Sequence, residues 1–133
     1  MSSQKFIFGE KSEQLLNTVA DELSGLAHNV IKISPIDFAI VEGFRTEEKQ
    51  KELYDAGKTK TLNSKHCVGR AIDVVPCLNY RPNFEMINSC CFIVGLFYAL
   101  AKQNNLKIRV GAIWDGESIE NNNFVDLWHI ELL

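Results

Sequence analysis

A single carboxylate in the middle of an apolar strand constrains this chain more than any other feature. The stretch AIDVV (71–75) reads as a short β-strand, and Asp73 is its only charged residue. Successive side chains of a strand point to opposite faces, so Asp73 lies opposite Ile72 and Val74. Burying an unpaired carboxylate is costly. The fold must therefore bring a partner for Asp73 to this strand.

A histidine lies seven residues before this carboxylate, in the segment SKHCVGRAID. Gly69 lets the backbone reverse between His66 and Asp73. A catalytic zinc site uses three protein ligands and leaves a fourth position open. His66 and Asp73 can supply two ligands. His129, near the end of the chain, is the histidine best placed to supply the third.

Three further residues have the chemistry that peptide hydrolysis at such an ion requires. Asp126 precedes His129 by three residues and can act as a general base without being a ligand. Arg45, which follows the apolar segment DFAIVEG, can bind a substrate carboxylate or stabilise a developing oxyanion. Ser64 can donate a hydrogen bond to the substrate.

Each of these residues also has a simpler structural explanation. A histidine in a loop, such as His66, is often just a polar residue at the surface, and His129 can be a hydrogen-bonded sheet residue. Arg45 can pair with the glutamates that follow it, and Asp126 can cap the start of a strand. Spacing alone leaves both interpretations open.

The composition indicates a globular chain and excludes some partners. Its 133 residues predict one domain, 1–133, and the net charge of −3 argues against binding to nucleic acid. The N-terminal residues lack the apolar core of a secretory signal, so we expect synthesis in the cytoplasm. The longest apolar run, 90–101, is too short to span a bilayer and predicts a buried helix rather than membrane insertion.

The four cysteines match no zinc-binding spacing and are predicted to be reduced thiols: Cys67, Cys77, Cys90 and Cys91. Cys67 is adjacent to His66, which makes it a candidate stray ligand. The remaining histidine, His28, is predicted to lie at the surface of a helix.

Periodicity and capping signals predict alternating helices and strands. We expect helices over 11–33, over 47–57 with Thr46 as N-cap, and over 84–103 with Asn83 as N-cap, and strands over 37–43, 71–75 (ended by Pro76), 106–111 and 127–132. A polar loop, 58–66, and a turn, 77–83, separate some of these elements. This order predicts an α+β domain with helices packed on a small sheet.

The acidic, asparagine-rich segment 115–123 contains Asp115, Glu117 and Glu120. Carboxylate and amide oxygens of this kind can bind Ca²⁺ weakly, but their spacing matches no EF-hand. A solvated loop is the favoured interpretation.

Two of these motifs resemble the signatures of a known enzyme group. SKHCVGRAID matches the pattern S-x-H-x-x-G-x-A-x-D of the zinc D-alanyl-D-alanine carboxypeptidase and dipeptidase (VanY-like) group, and DLWHIEL resembles its second signature, an acidic residue shortly before a histidine. GFRT resembles the arginine segment of the same group. The similarity extends over nearly the whole chain and is greatest to the bacteriophage L-alanyl-D-glutamate peptidases, which are endolysins.

The resemblance implies a role for each candidate residue. It implies one catalytic Zn²⁺ held by His66, Asp73 and His129, and it makes Asp126 the catalytic base, where many relatives have glutamate. It also implies that Arg45 binds substrate and stabilises the tetrahedral intermediate, with Ser64 as a lesser substrate contact. The implied fold is the α+β fold, with a small antiparallel sheet, that these peptidases share with the Hedgehog signalling domain.

The implied activity is hydrolysis of the L-alanyl-D-glutamate bond in peptidoglycan during phage-induced lysis. We expect a monomer, made in the host cytoplasm, that reaches the cell wall after another protein permeabilises the membrane. Two alternatives stay open. The chain could be a D-alanyl-D-alanine carboxypeptidase with the same metal chemistry, or a zinc-stabilised wall-binding domain without catalysis.

Overall fold

The computed structural model of the chain describes residues 4–113, 119 and 126–133. The helices are α1 (Glu10–Leu16), α2 (Asp21–Ile33), α3 (Glu47–Asp55) and α4 (Ile87–Gln103). The strands are β1 (Phe38–Glu42), β2 (Ala71–Leu78), β3 (Arg81–Pro82), β4 (Ile108–Val110) and β5 (His129–Leu132). Short 3-10 helices cover Lys65–Val68 and Gly111–Ile113.

The strands form an antiparallel sheet in the order β1-β2-β5-β4, and β3 pairs with the far end of β2. Helices α2 and α4 pack on each other, and α4 also contacts β2. The hydrophobic core between these helices and the sheet includes the fully buried side chains of Leu23, Val30, Ile72, Phe97 and Ile130. The predicted α+β architecture with a small antiparallel sheet is therefore confirmed.

The central strand alternates as its sequence predicts. Ile72 and Val74 are completely buried in the core, while Asp73 points away from them and keeps 14% of its side chain exposed. A bulge in β1 shifts the strand register next to Asp73. Ile40 pairs with Val74, but the residue of β1 that pairs with Asp73 is Glu42 rather than Val41. Such a bulge redirects a side chain within a strand. Here it brings Glu42 beside Asp73.

The prediction of one continuous helix over 11–33 is wrong, because the chain breaks between α1 and α2. Long-range hydrogen bonds hold the break. The Thr18 hydroxyl accepts from the Phe44 N–H at 3.0 Å, and the Ala20 N–H donates to the Gly69 carbonyl at 2.8 Å. The apolar periodicity runs through the break because Leu16, Val19 and Leu23, before, within and after it, all lie in one hydrophobic core.

Pro76 does not end the central strand as predicted, since β2 continues to Leu78. Pro76 lies opposite Phe38 at the end of β1. Its missing N–H is not needed there, because the Cys77 N–H donates to the Asp37 carbonyl at 2.9 Å and the Pro76 carbonyl accepts from Asn83 at 2.8 Å.

Other boundaries shift by a few residues. Helix α4 begins at Ile87 rather than at residue 84, because the Asn83 side chain accepts from the Glu85 N–H and so caps a turn ahead of the helix. Strand β5 begins at His129 rather than at residue 127. The Thr46 cap of α3 is confirmed, since its hydroxyl accepts from the backbone N–H of Lys49.

All four cysteines carry free thiols, as predicted. In the described part of the chain, no helix combines the length and the apolar character needed to cross a bilayer.

The packing of α4 makes a testable prediction about stability. Phe97 is fully buried, whereas Phe92 on the same helix keeps 51% of its surface exposed. We expect Phe97→Ala to lower the free energy of unfolding by about 3–5 kcal/mol, because it removes buried apolar surface and leaves a cavity. Phe92→Ala is the matched control and should cost well under half as much. Urea denaturation monitored by circular dichroism measures both, and equal losses would contradict this account of the core.

Candidate functional site

A 3-10 helix and two neighbouring strands bring the three predicted metal ligands together. Asp73 on β2 and His129 on β5 are direct cross-strand partners, and His66 reaches them from the 3-10 helix Lys65–Val68. The distances to Asp73 Oδ1 are 3.1 Å from His66 Nε2 and 3.3 Å from His129 Nδ1. Both imidazoles are buried, and one potential ligand atom from each residue lies within 4.8 Å of the others.

The orientation of His66 is fixed by a backbone carbonyl. Its Nδ1 donates to the Gly43 carbonyl at 2.8 Å, so its Nε2 faces Asp73. Gly43 lies too close to α1 for any side chain, because a Cβ there would be 2.6 Å from the Thr18 hydroxyl and 2.8 Å from the Leu15 carbonyl. The glycine thus permits the approach that holds the ring.

The local backbone around His66 also follows from its sequence. The Ser64 hydroxyl accepts from the His66 N–H at 3.1 Å and caps the 3-10 helix. Gly69 ends that helix at φ +68°, a conformation that favours glycine. The predicted reversal at Gly69 is confirmed.

The orientation of His129 depends on a residue to which sequence reasoning assigned no role. Its Nε2 lies 2.9 Å from Glu131 Oε1, and the other carboxylate oxygen of Glu131 lies 3.1 Å from Arg109 Nη2. Glu131 is buried, and Arg109 is its cross-strand partner on β4. The signal was available, because residues two apart on a strand share a face.

The hydrogen-bonding capacity of the two rings shows that this donor set fits a cation. A neutral imidazole has one N–H and one lone pair. The outer nitrogens face the obligate acceptors Gly43 and Glu131, so they carry the protons and the inner nitrogens present lone pairs toward Asp73. Ligands about 2.0–2.1 Å from a tetrahedral zinc lie about 3.3 Å apart. The observed 3.1 and 3.3 Å agree with that spacing.

The electrostatics of the cluster also favour positive charge. Burial by itself would raise the pKa of Asp73, but hydrogen bonds from His129 and His66 and their charges outweigh it and lower the pKa to about 2. Burial would lower the pKa of His129, but the hydrogen bonds to Asp73 and Glu131 raise it to about 9. The cluster is thus built to hold positive charge.

Asp126 lies beside the cluster but outside it. Its Oδ2 is 3.9 Å from His129 Nδ1, and a quarter of its side chain is exposed. Burial raises the pKa of Asp126, the charge of His129 opposes this, and the charge of Asp73 reinforces it. The backbone of Asp126 packs so closely on Gly111 that a Cβ there would overlap the Asp126 carbonyl. Gly111 is a second positional residue that sequence reasoning did not single out.

Arg45 lies close enough for its charge to favour the ionised form of Asp126. It does not pair with the glutamates of α3, the alternative considered from the sequence. Its Nε lies 3.1 Å from Glu42 Oε1, and its Nη1 donates to Gln50 Oε1 at 2.7 Å. Its backbone N–H donates to the His66 carbonyl at 3.0 Å.

The remaining candidates have different outcomes. The Cys67 sulfur lies 3.9 Å from the Thr46 carbonyl, and Cys67 is outside the ligand cluster found in the described chain. His28 keeps 39% of its side chain exposed and contacts Glu13, as a surface histidine. The candidate calcium segment 115–123 lies outside the described residues except for residue 119. The catalytic role of Asp126 and the substrate contact of Ser64 stay predictions.

The chain is similar to known peptidases. In the chain, residues 4–133 match the profile of the phage L-alanyl-D-glutamate peptidase family. A relative from Escherichia phage T5, an L-alanyl-D-glutamate peptidase, is 31% identical over 96% of this chain and 98% of its own length.

Two solved structures share the fold. The crystal structure of the Serratia marcescens L-Ala D-Glu endopeptidase ChiX has a TM-score of 0.81 at 24% identity, covering 97% of this chain and 92% of that one. The D,D-dipeptidase VanXYg, solved with a D-Ala-D-Ala phosphinate analogue, has a TM-score of 0.55 at 16% identity and covers 86% of this chain and 50% of that one. With the profile match over nearly its full length, the chain belongs to the phage L-alanyl-D-glutamate peptidase family.

Proposed function

We propose that this protein is a zinc-dependent peptidase that hydrolyses the L-alanyl-D-glutamate bond of peptidoglycan stem peptides. The observation that carries the proposal is the convergence of His66, Asp73 and His129 on one point, beside the separate carboxylate of Asp126. The activity named for the phage T5 relative supports the choice of bond.

The proposed ligands are His66 Nε2, a carboxylate oxygen of Asp73 and His129 Nδ1, which the distances to Asp73 support. A zinc ion bound there would act as a Lewis acid and lower the pKa of a water molecule to about 7. The Gly43 carbonyl and the Glu131 carboxylate keep the outer ring nitrogens protonated, so that both inner nitrogens stay available.

Asp126 is the proposed general base. It takes a proton from the attacking water and delivers it to the departing amine of the scissile bond. Burial raises the pKa of this carboxyl, which makes it a better proton acceptor than an exposed aspartate. Aspartate is shorter than the glutamate of many relatives, and the close packing of its backbone on Gly111 fixes where this shorter side chain starts.

Arg45 and Ser64 complete the proposed site. The guanidinium of Arg45 binds a substrate carboxylate or shares the negative charge of the tetrahedral intermediate. The Ser64 hydroxyl already accepts from the His66 N–H, which leaves its own proton for the substrate. Peptidoglycan is the proposed partner, and we propose that the chain acts on it as a monomer once the host membrane has been permeabilised.

Analysis of digested peptidoglycan tests the reaction. We expect mass spectrometry of the digest to show new N-terminal D-glutamate. Release of free D-alanine instead would identify a D-alanyl-D-alanine carboxypeptidase. Binding to the wall without any product would identify a wall-binding domain.

The same digest tests the base. We expect Asp126→Ala to reduce kcat by about 10²–10⁴-fold while leaving zinc content unchanged, because the carboxylate transfers protons without ligating the metal. Asp21→Asn, at the exposed start of α2, is the control and should retain full activity. An Asp126→Ala variant that keeps the kcat of the unmodified protein would contradict the mechanism.

Elemental analysis tests the metal site. We expect one zinc per purified chain, lost in His66→Ala because two ligands bind zinc far more weakly than three. His28→Ala removes a histidine on the surface of α2 and should keep its zinc. Stoichiometric zinc in His66→Ala would exclude this residue as a ligand.

The affinity for zinc should increase with pH. The pKa of His129 is about 9 in the metal-free protein, above its ordinary 6.5, and zinc must displace that proton. We expect roughly a tenfold gain in affinity per pH unit across this window, measured by chelator competition.

The same proton should make the stability of the metal-free protein fall with rising pH, opposite to the pH dependence of its zinc affinity. Because the folded pKa is raised, this stabilisation is complete below about pH 6.5 and is lost as pH rises through about 9. The Tm of the metal-free protein should therefore fall over this window. A zinc affinity that does not change with pH would contradict the proposal that zinc displaces a proton from His129.

A further inference from the structure

The Arg45 side chain is held on two sides, by Glu42 and by Gln50. Glu42 accepts from its Nε and Gln50 accepts from its Nη1, at 3.1 and 2.7 Å. Among the hydrogen bonds of the described residues, those of the Arg45 side chain use Nε and Nη1, and Nη2 remains for another acceptor. A guanidinium with both of these hydrogen bonds cannot rotate without breaking a charge-assisted hydrogen bond.

Gln50 is an unusual residue for this position. It is the buried residue of α3, a helix whose other side chains are largely solvated, and only 1% of its surface is exposed. Both ends of its amide are used, because Oε1 accepts from Arg45 and Nε2 donates to the Thr61 carbonyl at 2.8 Å. A buried amide with two partners costs little only while both contacts are kept.

These contacts join Arg45 to the segment that precedes the first metal ligand. Thr61 lies three residues before Ser64, whose hydroxyl caps the turn of His66. The His66 carbonyl in turn accepts from the Arg45 N–H at 3.0 Å. The buried Gln50 amide thus links Arg45 to the 58–64 segment, and the backbone N–H of Arg45 links the same residue to the His66 turn.

We propose that Gln50 is a positioning residue, which aims the Arg45 guanidinium at the substrate and holds the 58–64 segment against it. Glu42, brought to this face by the bulge in β1, is the second anchor of the guanidinium. This inference rests on the proposed function, because it assigns Gln50 a part in the work of Arg45. Gln50 itself does not touch the substrate.

A double-mutant cycle on a synthetic stem peptide that contains the L-alanyl-D-glutamate bond tests the proposal. Gln50→Met keeps the length of the side chain and removes both hydrogen bonds. We expect it to lower kcat/KM about tenfold or more, consistent with the loss of a hydrogen bond to a charged group. In an Arg45→Ala background the same change should alter kcat/KM less than about twofold, because the group that Gln50 positions is gone.

Three further variants make the result specific. Gln50→Glu keeps an acceptor for Arg45 but loses the donor to Thr61, so it should retain more activity than Gln50→Met. It also carries the same cycle if Gln50→Met does not fold. Gln14→Met changes an exposed glutamine of α1 and should leave kcat/KM unchanged. Glu42→Gln should likewise lower kcat/KM less in the Arg45→Ala background than in the unmodified protein.

The outcomes separate the two proposals. Equal losses from the Gln50 variant in both backgrounds would mean a purely structural role and would overturn the positioning proposal alone. Full activity of Arg45→Ala would overturn the role of Arg45 and that of Gln50 with it. Absence of hydrolysis by the unmodified, zinc-loaded protein would overturn the proposed function itself. Zinc content should stay stoichiometric in every Gln50 variant.

Discussion

Two buried imidazoles each have an acceptor on the side away from Asp73, and the rest of the site depends on this constraint. The Gly43 carbonyl holds one outer nitrogen and the Glu131 carboxylate holds the other. A neutral ring can satisfy one acceptor only, so the electron pairs of both inner nitrogens converge with Asp73 on one point. Positive charge at the centre of such a cluster is favourable, and the hydrogen bonds to Asp73 and Glu131 raise the pKa of His129 in spite of its burial.

The fold supports this cluster from three directions. The antiparallel pairing of β2 and β5 sets Asp73 opposite His129, and the hydrogen bond between Ala20 and Gly69 anchors the turn of His66 on the start of α2. The bulge in β1 places Glu42 where it hydrogen-bonds Arg45 at the edge of the site. Regular secondary structure thus positions the candidate ligands, and side-chain hydrogen bonds position Arg45 beside them.

Much of this could be predicted from residue patterns, and the failures have physical causes. Alternation along AIDVV correctly separates Asp73 from Ile72 and Val74, because a strand has a strict period of two. The break after α1 cannot be predicted from periodicity, because Thr18 and Ala20 hydrogen-bond there to partners far along the chain. The effect of Pro76 cannot be predicted from the local sequence, because it depends on whether a neighbouring strand needs the N–H that proline lacks.

The sequence by itself determined which residues can ligate a metal, which face of each strand is apolar, and which family the chain resembles, because these follow from chemistry and local periodicity. Only the tertiary structure decided which nitrogen of each histidine faces Asp73, that Arg45 pairs with Glu42 and Gln50, and that Glu131 and Gly111 support the site. These contacts join residues distant in sequence or depend on side-chain direction. They exist only once the sheet register and the β1 bulge are in place.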